Sequence, residues 1–322
     1  MKPDSVENRD ASFASEPAKP EQGRKYKLFI AEGYDHPIAT MVENVGYELS
    51  GIAEADFIVY PILVRNEMDV PGTMAKISRQ FSSSGKKMIV FTLSDYARKY
   101  PFYSNLILLR HSARADRLAS NERVMPYLWE CKDEPFVPAP AGELPGIGFC
   151  GKVSRQRRKL VSAFENSALI KCDFIKRDSF WGGKPHDPGV VSDFWSNMQE
   201  NPFALAPRGN GNFSMRFYQA LSIGRIPVLI NTNMALPFSH LIPWKDFIVF
   251  EVNEKRCVRR LLEIHQAGRT VELQQTCYRM FHEYLSHKVY MGRLLDELSA
   301  ASVIRKPTTW ERLTSFLRQP KG

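Results

Sequence analysis

Residues Asn201 to Ile230 read NPFALAPRGNGNFSMRFYQALSIGRIPVLI, and the order of residue types spells strand, glycine-rich turn, helix, strand. Phe203, Leu205 and the alanines beside them make a short apolar strand that Pro207 stops. Gly209 and Gly211 permit a tight loop of close backbone approach, and Asn212 or Ser214 can cap the helix that follows. Gly224 ends that helix, and Ile226 to Ile230 form the next buried strand. A glycine loop feeding a helix N-terminus points backbone N–H groups outward, where the helix dipole favours negative charge. Arg208 in the loop and Arg216 in the first helical turns can clamp a diphosphate between them.

At about 100° per residue, Phe217, Ala220 and Leu221 share one helix side and Arg216, Gln219 and Ile223 another. The first side is expected to face the sheet and the second a ligand at the strand ends. Arg216 and Gln219, three apart, are neighbours on that surface.

The same grammar runs through the rest of the chain. Strands are predicted at 27–31, 55–61, 87–92 and 105–109, with helices near 38–49 and 74–81. Pro135, Pro138, Pro140 and Pro145, with Gly142 and Gly146, mark a domain boundary. The pattern then restarts: strands at 147–150, 169–175 and 247–252, and helices at 155–165, 193–198, 254–266, 273–285 and about 290–301. Strand–helix alternation implies parallel sheets covered on both faces. The expected fold is α/β, two Rossmann-like domains facing a cleft, with residues 25–140 in one and 145–322 in the other. Residues 1–24 are polar and mixed in charge, and are expected to form a disordered tail. Ligands of open α/β sheets lie beyond the carboxyl ends of the strands, where the 208–214 loop, Gly151-Lys152 and Gly33 to His36 fall.

The segment PRGNGNFSMRFYQALSIGRIPVLIN resembles the hallmark of the exostosin-like glycosyltransferases, family 47, whose pattern runs P-R-G, then S-x-R-x-Y-E-A-L, then G-x-I-P-V. The resemblance continues through Leu236-Pro237 and Trp244-Lys245-Asp246-Phe247, and upstream through Phe149-Cys150-Gly151. Softer matches lie at Ala55 to Pro61 and Ile107 to Pro126. It implies a GT-B architecture, with the acceptor on the first half and the nucleotide-sugar on the second. It also implies transfer of a sugar, UDP-linked by expectation, to a glycan or polysaccharide, in an inverting displacement. The family's glutamate is replaced here by Gln219, which keeps hydrogen-bonding capacity but not a charged acceptor. That substitution motivates a second reading, a non-catalytic nucleotide-sugar or glycan binder of the same fold. A fucosyltransferase-like enzyme using GDP-fucose shares the loop–helix logic but lacks acidic and lysine residues expected at the helix start.

The resemblance and the residues together give a nucleotide-sugar site of Arg208, Gly209, Gly211, Ser214, Arg216, Gln219, Lys152 and Arg155. Asp35 and His36, in the first loop of the first half, are the candidate base, with Asp95 beyond a later strand end as a further one. His111 and Glu122 belong to the softer match and read equally as structural. No D-x-D motif occurs, so metal-independent stabilisation of the leaving group by arginines and a helix N-terminus is expected, with no metal site and no cofactor. His186 and Asp187 lack a matching ligand set. Trp181, Trp195 and Trp244 are read as core side chains before sugar or base stackers.

With 322 residues, 43% hydrophobic and 11% aromatic, the chain suits two globular domains. No apolar run approaches the roughly 18 residues of a membrane span, and no apolar leader region opens the chain. Five scattered cysteines, none in a C-x-x-C pair, read as reduced thiols. These features predict a cytoplasmic protein, unlike the Golgi membrane members of the family in animals. The net charge of +9 draws on Lys152, Arg155, Arg157 to Lys159, Lys171, Lys176 and Arg177. Phosphate binding, contact with anionic lipid near a lipid-linked acceptor, and nucleic acid compete as explanations. Nucleic acid ranks last because no recognition motif is present. Arg157 to Lys159 read most simply as a solvated helix face.

Overall fold

The computed structural model describes residues 25–31, 41–64, 69–128, 130–140, 142–184, 186–300 and 309. The first half builds a six-stranded sheet from β1 (Lys27–Ile30), β2 (Glu48–Leu49), β3 (Phe57–Val64), β4 (Lys87–Thr92), β5 (Leu106–Arg110) and β6 (Glu122–Val124). Its order is β2-β1-β3-β4-β5-β6, and every pair is parallel. The second half builds a five-stranded sheet from β7 (Gly146–Lys152), β8 (Lys171–Arg177), β9 (Phe203–Leu205), β10 (Ile226–Ile230) and β11 (Val249–Glu251). Its order is β11-β10-β9-β7-β8, again parallel throughout.

Parallel strands covered on both faces need apolar side chains at every position, and the register shows why these segments qualify. In β4, Met88 and Val90 join one cluster with Val70, Met74 and Ile77 of helix α1 (Asp69–Gln80). Ile89 and Phe91 point to the opposite face and join a larger core that also holds residues of the second sheet. In β9, Phe203 and Leu205 enter that larger core while Ala204 packs against Trp195 and Met198 of helix α3 (Pro188–Glu200), which follows helix α2 (Arg155–Glu165).

Among the departures from the sequence expectation, two helices stop well short. The helix expected near 38–49 does not reach its end: Gly46 turns the chain at φ 66°, and Glu48 and Leu49 pair with Lys27 and Leu28 as β2. The helix expected over 273–285 is helix α7 (Thr270–Met280), and the chain then widens into a π turn at Phe281–Leu285, with Ser286 N donating to Phe281 O at 2.9 Å. It is preceded by helices α4 (Met215–Ser222), α5 (Trp244–Phe247) and α6 (Glu254–Gln266). Strand β6 is an addition, absent from the expected set.

The proline-rich stretch after Lys132 is strapped to the second half. Ala139 N donates to Gln274 Oε1 at 2.8 Å, Arg225 Nη1 to Val137 O at 2.9 Å, and the Tyr278 hydroxyl to Glu134 O at 2.9 Å. Helix α8 (Tyr290–Ser299) crosses back to the first sheet. There the Tyr290 hydroxyl donates to Val124 O at 3.1 Å, and Arg123 pairs with Glu297 at 2.5 Å. The halves also meet where Ala115 N donates to Asn233 O at 2.8 Å and Ala235 N to Ala113 O at 3.1 Å. Among the described residues, no helix is long and apolar enough to cross a membrane.

Candidate active site

Strand β9 delivers the chain to the loop 208–214, which folds on itself through Gly209 N donating to Phe213 O at 3.0 Å. A Cβ on Gly211 would lie 2.7 Å from the Phe213 ring and 2.9 Å from Asp95 O, so only glycine lets this loop rest against the first half. Asn212, expected as an alternative cap, is engaged elsewhere. Its N–H donates to Ser112 Oγ at 2.8 Å, its Nδ2 to Ala113 O at 3.1 Å, and its Oδ1 accepts from Thr232 Oγ1 at 2.6 Å. Ser214 holds the N-cap position of α4 without a side-chain cap bond.

A cavity of about 560 Å³ opens between this loop, the ends of β7 and β8, and the first half. From the expected set, Lys152, Gly209, Gly211, Ser214, Arg216 and Gln219 line it together. Arg208 stands beside the wall, its Nη2 donating to Asn210 O at 3.2 Å and its own carbonyl accepting from Arg157 Nε at 3.1 Å. Arg155, first residue of α2, is exposed and not on the wall. Asp35 and His36 lie outside the described residues.

Arg157 corrects the solvated-face reading: it is 7% exposed and on the wall, whereas Arg158 and Lys159 are exposed. It shares one helix stripe with Leu160, Val161 and Phe164, the spacing that could have revealed it. Its Nη1 donates to Lys152 O at 3.0 Å, tying the loop after β7 to the loop after β9. Arg216 donates Nη2 to Cys150 O at 2.5 Å and lies between the rings of Phe149 and Phe194, at 4.9 and 5.5 Å. Its Nε is buried without a hydrogen-bond partner. A Cβ on Gly151 would sit 2.8 Å from Arg216 Nη2.

Among the described residues, no carboxylate forms an ion pair with Arg157 or Arg216. Burial, and then the charge of Arg157, lower the Arg216 pKa to about 9, and burial lowers that of Arg157. Two guanidinium groups partly withdrawn from water, with no carboxylate partner among the described residues, are unfavourable until an anion arrives. Phosphate oxygens match the planar donor fork of each.

Other wall positions escape the sequence reading. Phe180 and Trp181 are 41% and 45% exposed on the wall, which corrects the core reading for Trp181; Trp195 and Trp244 are buried as expected. Tyr127 and Phe213 stack at 5.5 Å across the junction of the halves. Asp95 is on the wall from the first half, its carboxyl pKa raised by partial burial. Arg177 also lines the wall and pairs with Asp193. His111 is off the wall, buried neutral with a pKa near 4 and bonded through Nδ1 to Met125 O at 2.9 Å. Asp187 caps α3, accepting from Gly189 N and Val190 N at 3.0 and 3.2 Å. Among the described residues, no group of three or more His, Cys, Asp or Glu side chains has metal-ligand geometry.

Residues 148–267, which contain the whole second-half wall of this cavity, match the Exostosin GT47 domain. That stretch is similar to an exostosin GT47 domain. The chain is 40% identical over 80 residues to "Probable glucuronosyltransferase GUT1" of Oryza sativa subsp. japonica, a segment covering 23% of this chain and 19% of that relative. It is 42% identical over 62 residues to "Probable beta-1,4-xylosyltransferase IRX10L" of Arabidopsis thaliana, covering 19% of this chain and 15% of the relative. Against Exostosin-1a of Danio rerio it is 30% identical over 98 residues, covering 29% and 13%. The matched segments thus span about a fifth or less of these relatives' own length.

Proposed function

We propose that this protein is a GT-B glycosyltransferase, moving a sugar from a nucleoside-diphosphate donor, UDP-linked, to a hydroxyl of a glycan acceptor. The observation that carries this is a pair of arginines, buried Arg157 and half-buried Arg216, without a carboxylate ion-pair partner among the described residues, in a cavity lined by residues of both halves. The glycosyltransferase names of the matched relatives and the Arg216-bearing hallmark segment support the same reading.

In the reaction we infer, the acceptor oxygen bonds to the anomeric carbon while the bond from that carbon to the diphosphate breaks. The departing charge falls on phosphate oxygens held by Arg157, Arg216, Lys152 and the N-terminal amides of α4. The acceptor proton goes to a carboxylate across the cavity. Asp95 and Glu130 are the carboxylates that the first half brings to the wall, and Asp95, whose pKa partial burial raises, is the candidate base. A base on the first half, facing a leaving-group site on the second, supports a single inverting displacement. Arginines suffice in kind for the charge stabilisation, so we expect no requirement for divalent metal.

Calorimetric titration with UDP, GDP and CMP, first without metal and then with Mg²⁺, tests the reading. Metal-free UDP binding is expected, followed by turnover of UDP-sugars. Absence of nucleotide binding in both conditions would overturn it. Binding without turnover of any nucleotide-sugar would favour the non-catalytic reading, to which the uncharged, 1% exposed Gln219 points.

Asp95→Asn is expected to lower kcat by about 10²- to 10⁴-fold while leaving the UDP Kd unchanged. The base acts deprotonated and its pKa is raised, so the wild-type rate climbs with pH through a value above the ordinary carboxylate range. That acid limb should vanish in the variant. A limb that persists, or a weakened UDP Kd, assigns Asp95 to another role.

A further inference from the structure

We propose that Phe180 and Trp181 form the nucleobase platform of this cavity, so that a nucleoside diphosphate binds with its base stacked on Trp181. The inference rests on the nucleotide reading above and names what recognises the base. Trp181 has φ 57°, in the left-handed region that non-glycine residues occupy at a cost of about 1–2 kcal/mol. The left-handed turn continues through Gly182 and Gly183, at φ 60° and 78°. A Cβ on Gly182 would come within 3.1 Å of Val190 Cγ1. Core packing commonly offsets such strain, yet this indole stays 45% exposed on the cavity wall. A large aromatic surface that is both strained and uncovered fits a ring supplied by a ligand.

The position selects which ring. Phe180 lies 5.1 Å from Lys152 Nζ and 5.6 Å from Arg157 Cζ, so the aromatic turn adjoins the cations assigned to phosphate. It follows the end of β8, the neighbour of β7, whose Cys150 carbonyl holds Arg216. A diphosphate on those cations places its nucleoside against this turn. An acceptor glycan would lie farther off, toward Asp95 and the first half. Stacking recognises the flat face of any base, so Trp181 supplies affinity for a nucleoside without choosing among bases.

The test measures UDP and inorganic pyrophosphate by calorimetry and tryptophan fluorescence on wild type, Trp181→Ala and Trp181→Phe. Wild type is expected to bind UDP at least tenfold tighter than pyrophosphate, with quenching. Trp181→Ala should lose about tenfold or more in UDP affinity and the quench, with pyrophosphate unchanged. Trp181→Phe should retain most of the UDP affinity, and thermal melts of both variants should match wild type because the side chain is exposed. Pyrophosphate binding with UDP equally tight in wild type and Trp181→Ala overturns the platform and spares the phosphate site. Quenching by an oligosaccharide and not by UDP also overturns it. Failure of wild type to bind either anion removes the nucleotide reading itself.

Discussion

Arg216→Met is expected to lower kcat/KM for the sugar donor by about 10²- to 10³-fold, the scale for removing one preorganised donor to a leaving group's charge. The same change should leave the thermal stability of the ligand-free protein equal or higher. The two effects have one cause. Arg216 is held among Phe149, Phe194 and the end of β7, with a buried Nε that has no hydrogen-bond partner and, among the described residues, no carboxylate within ion-pair distance. An ion so placed weakens the empty fold, because desolvation is not offset by a counter-charge. A methionine fills similar volume, loses the bond to Cys150 O, and removes the desolvated charge. Saturating UDP, at about 100-fold its Kd, should stabilise wild type by about 2.7 kcal/mol and the variant by far less.

The pH dependence follows from the same residue. With the Arg216 pKa brought down to about 9 in the empty site, the charge that binds phosphate is lost as pH rises through that value. Wild-type UDP affinity should therefore fall between about pH 8 and about pH 10, and this fall should be absent from Arg216→Met. Arg216→Lys is not a substitute, since a point charge on a flexible stem cannot both span to Cys150 O and present a planar fork. A melting temperature that collapses along with activity would mark Arg216 as a packing residue and sink the assignment.

Arg216 was legible in the sequence because it sits in a contiguous segment whose local chemistry, glycine loop and helix start, states its own purpose. The parallel sheets were legible for a similar reason: Lys87 to Thr92 and Ile226 to Ile230 are apolar at nearly every position, a pattern that only doubly covered strands need. What could not be read depends on partners distant in sequence. Glu48 and Leu49 look helical until Lys27 and Leu28 offer them a parallel edge. Asn212 looks like a cap until Ser112 and Ala113, about a hundred residues earlier, claim its donors. Arg155 and Arg157 carry the same charge two residues apart; the rotation of α2, set by Leu160 and Phe164 against the core, turns one to solvent and the other to the cavity. Trp181 shows the limit from the other side, since composition favours burial for tryptophan and only the left-handed turn keeps it on the wall.

The second large effect is expected in the first half, where Glu122→Leu should cost about 3–5 kcal/mol of folding stability, the scale for orphaning one member of a buried ion pair. Glu122 Oε1 lies 3.1 Å from Arg110 Nη1, and both side chains are nearly inaccessible, at 4% and 3%. Arg110 is more than a charge partner. Its Nε donates to Ser112 O at 2.8 Å, Nη1 to Arg98 O at 2.9 Å and Nη2 to Tyr96 O at 2.8 Å, while its guanidinium lies 4.5 Å from the Tyr100 ring centre. One side chain thus fixes the segment that carries Asp95 and the Ser112 that receives Asn212. Arg110→Leu should accordingly destabilise at least as much as Glu122→Leu, because three carbonyls lose their donor. The double variant should be less destabilised than the sum of the singles, since it leaves neither charge buried without its partner. Urea unfolding of all four proteins measures the cycle. Strict additivity would show that the pair is not coupled, and a Glu122→Leu effect below about 1 kcal/mol would place it with exposed ion pairs despite its burial.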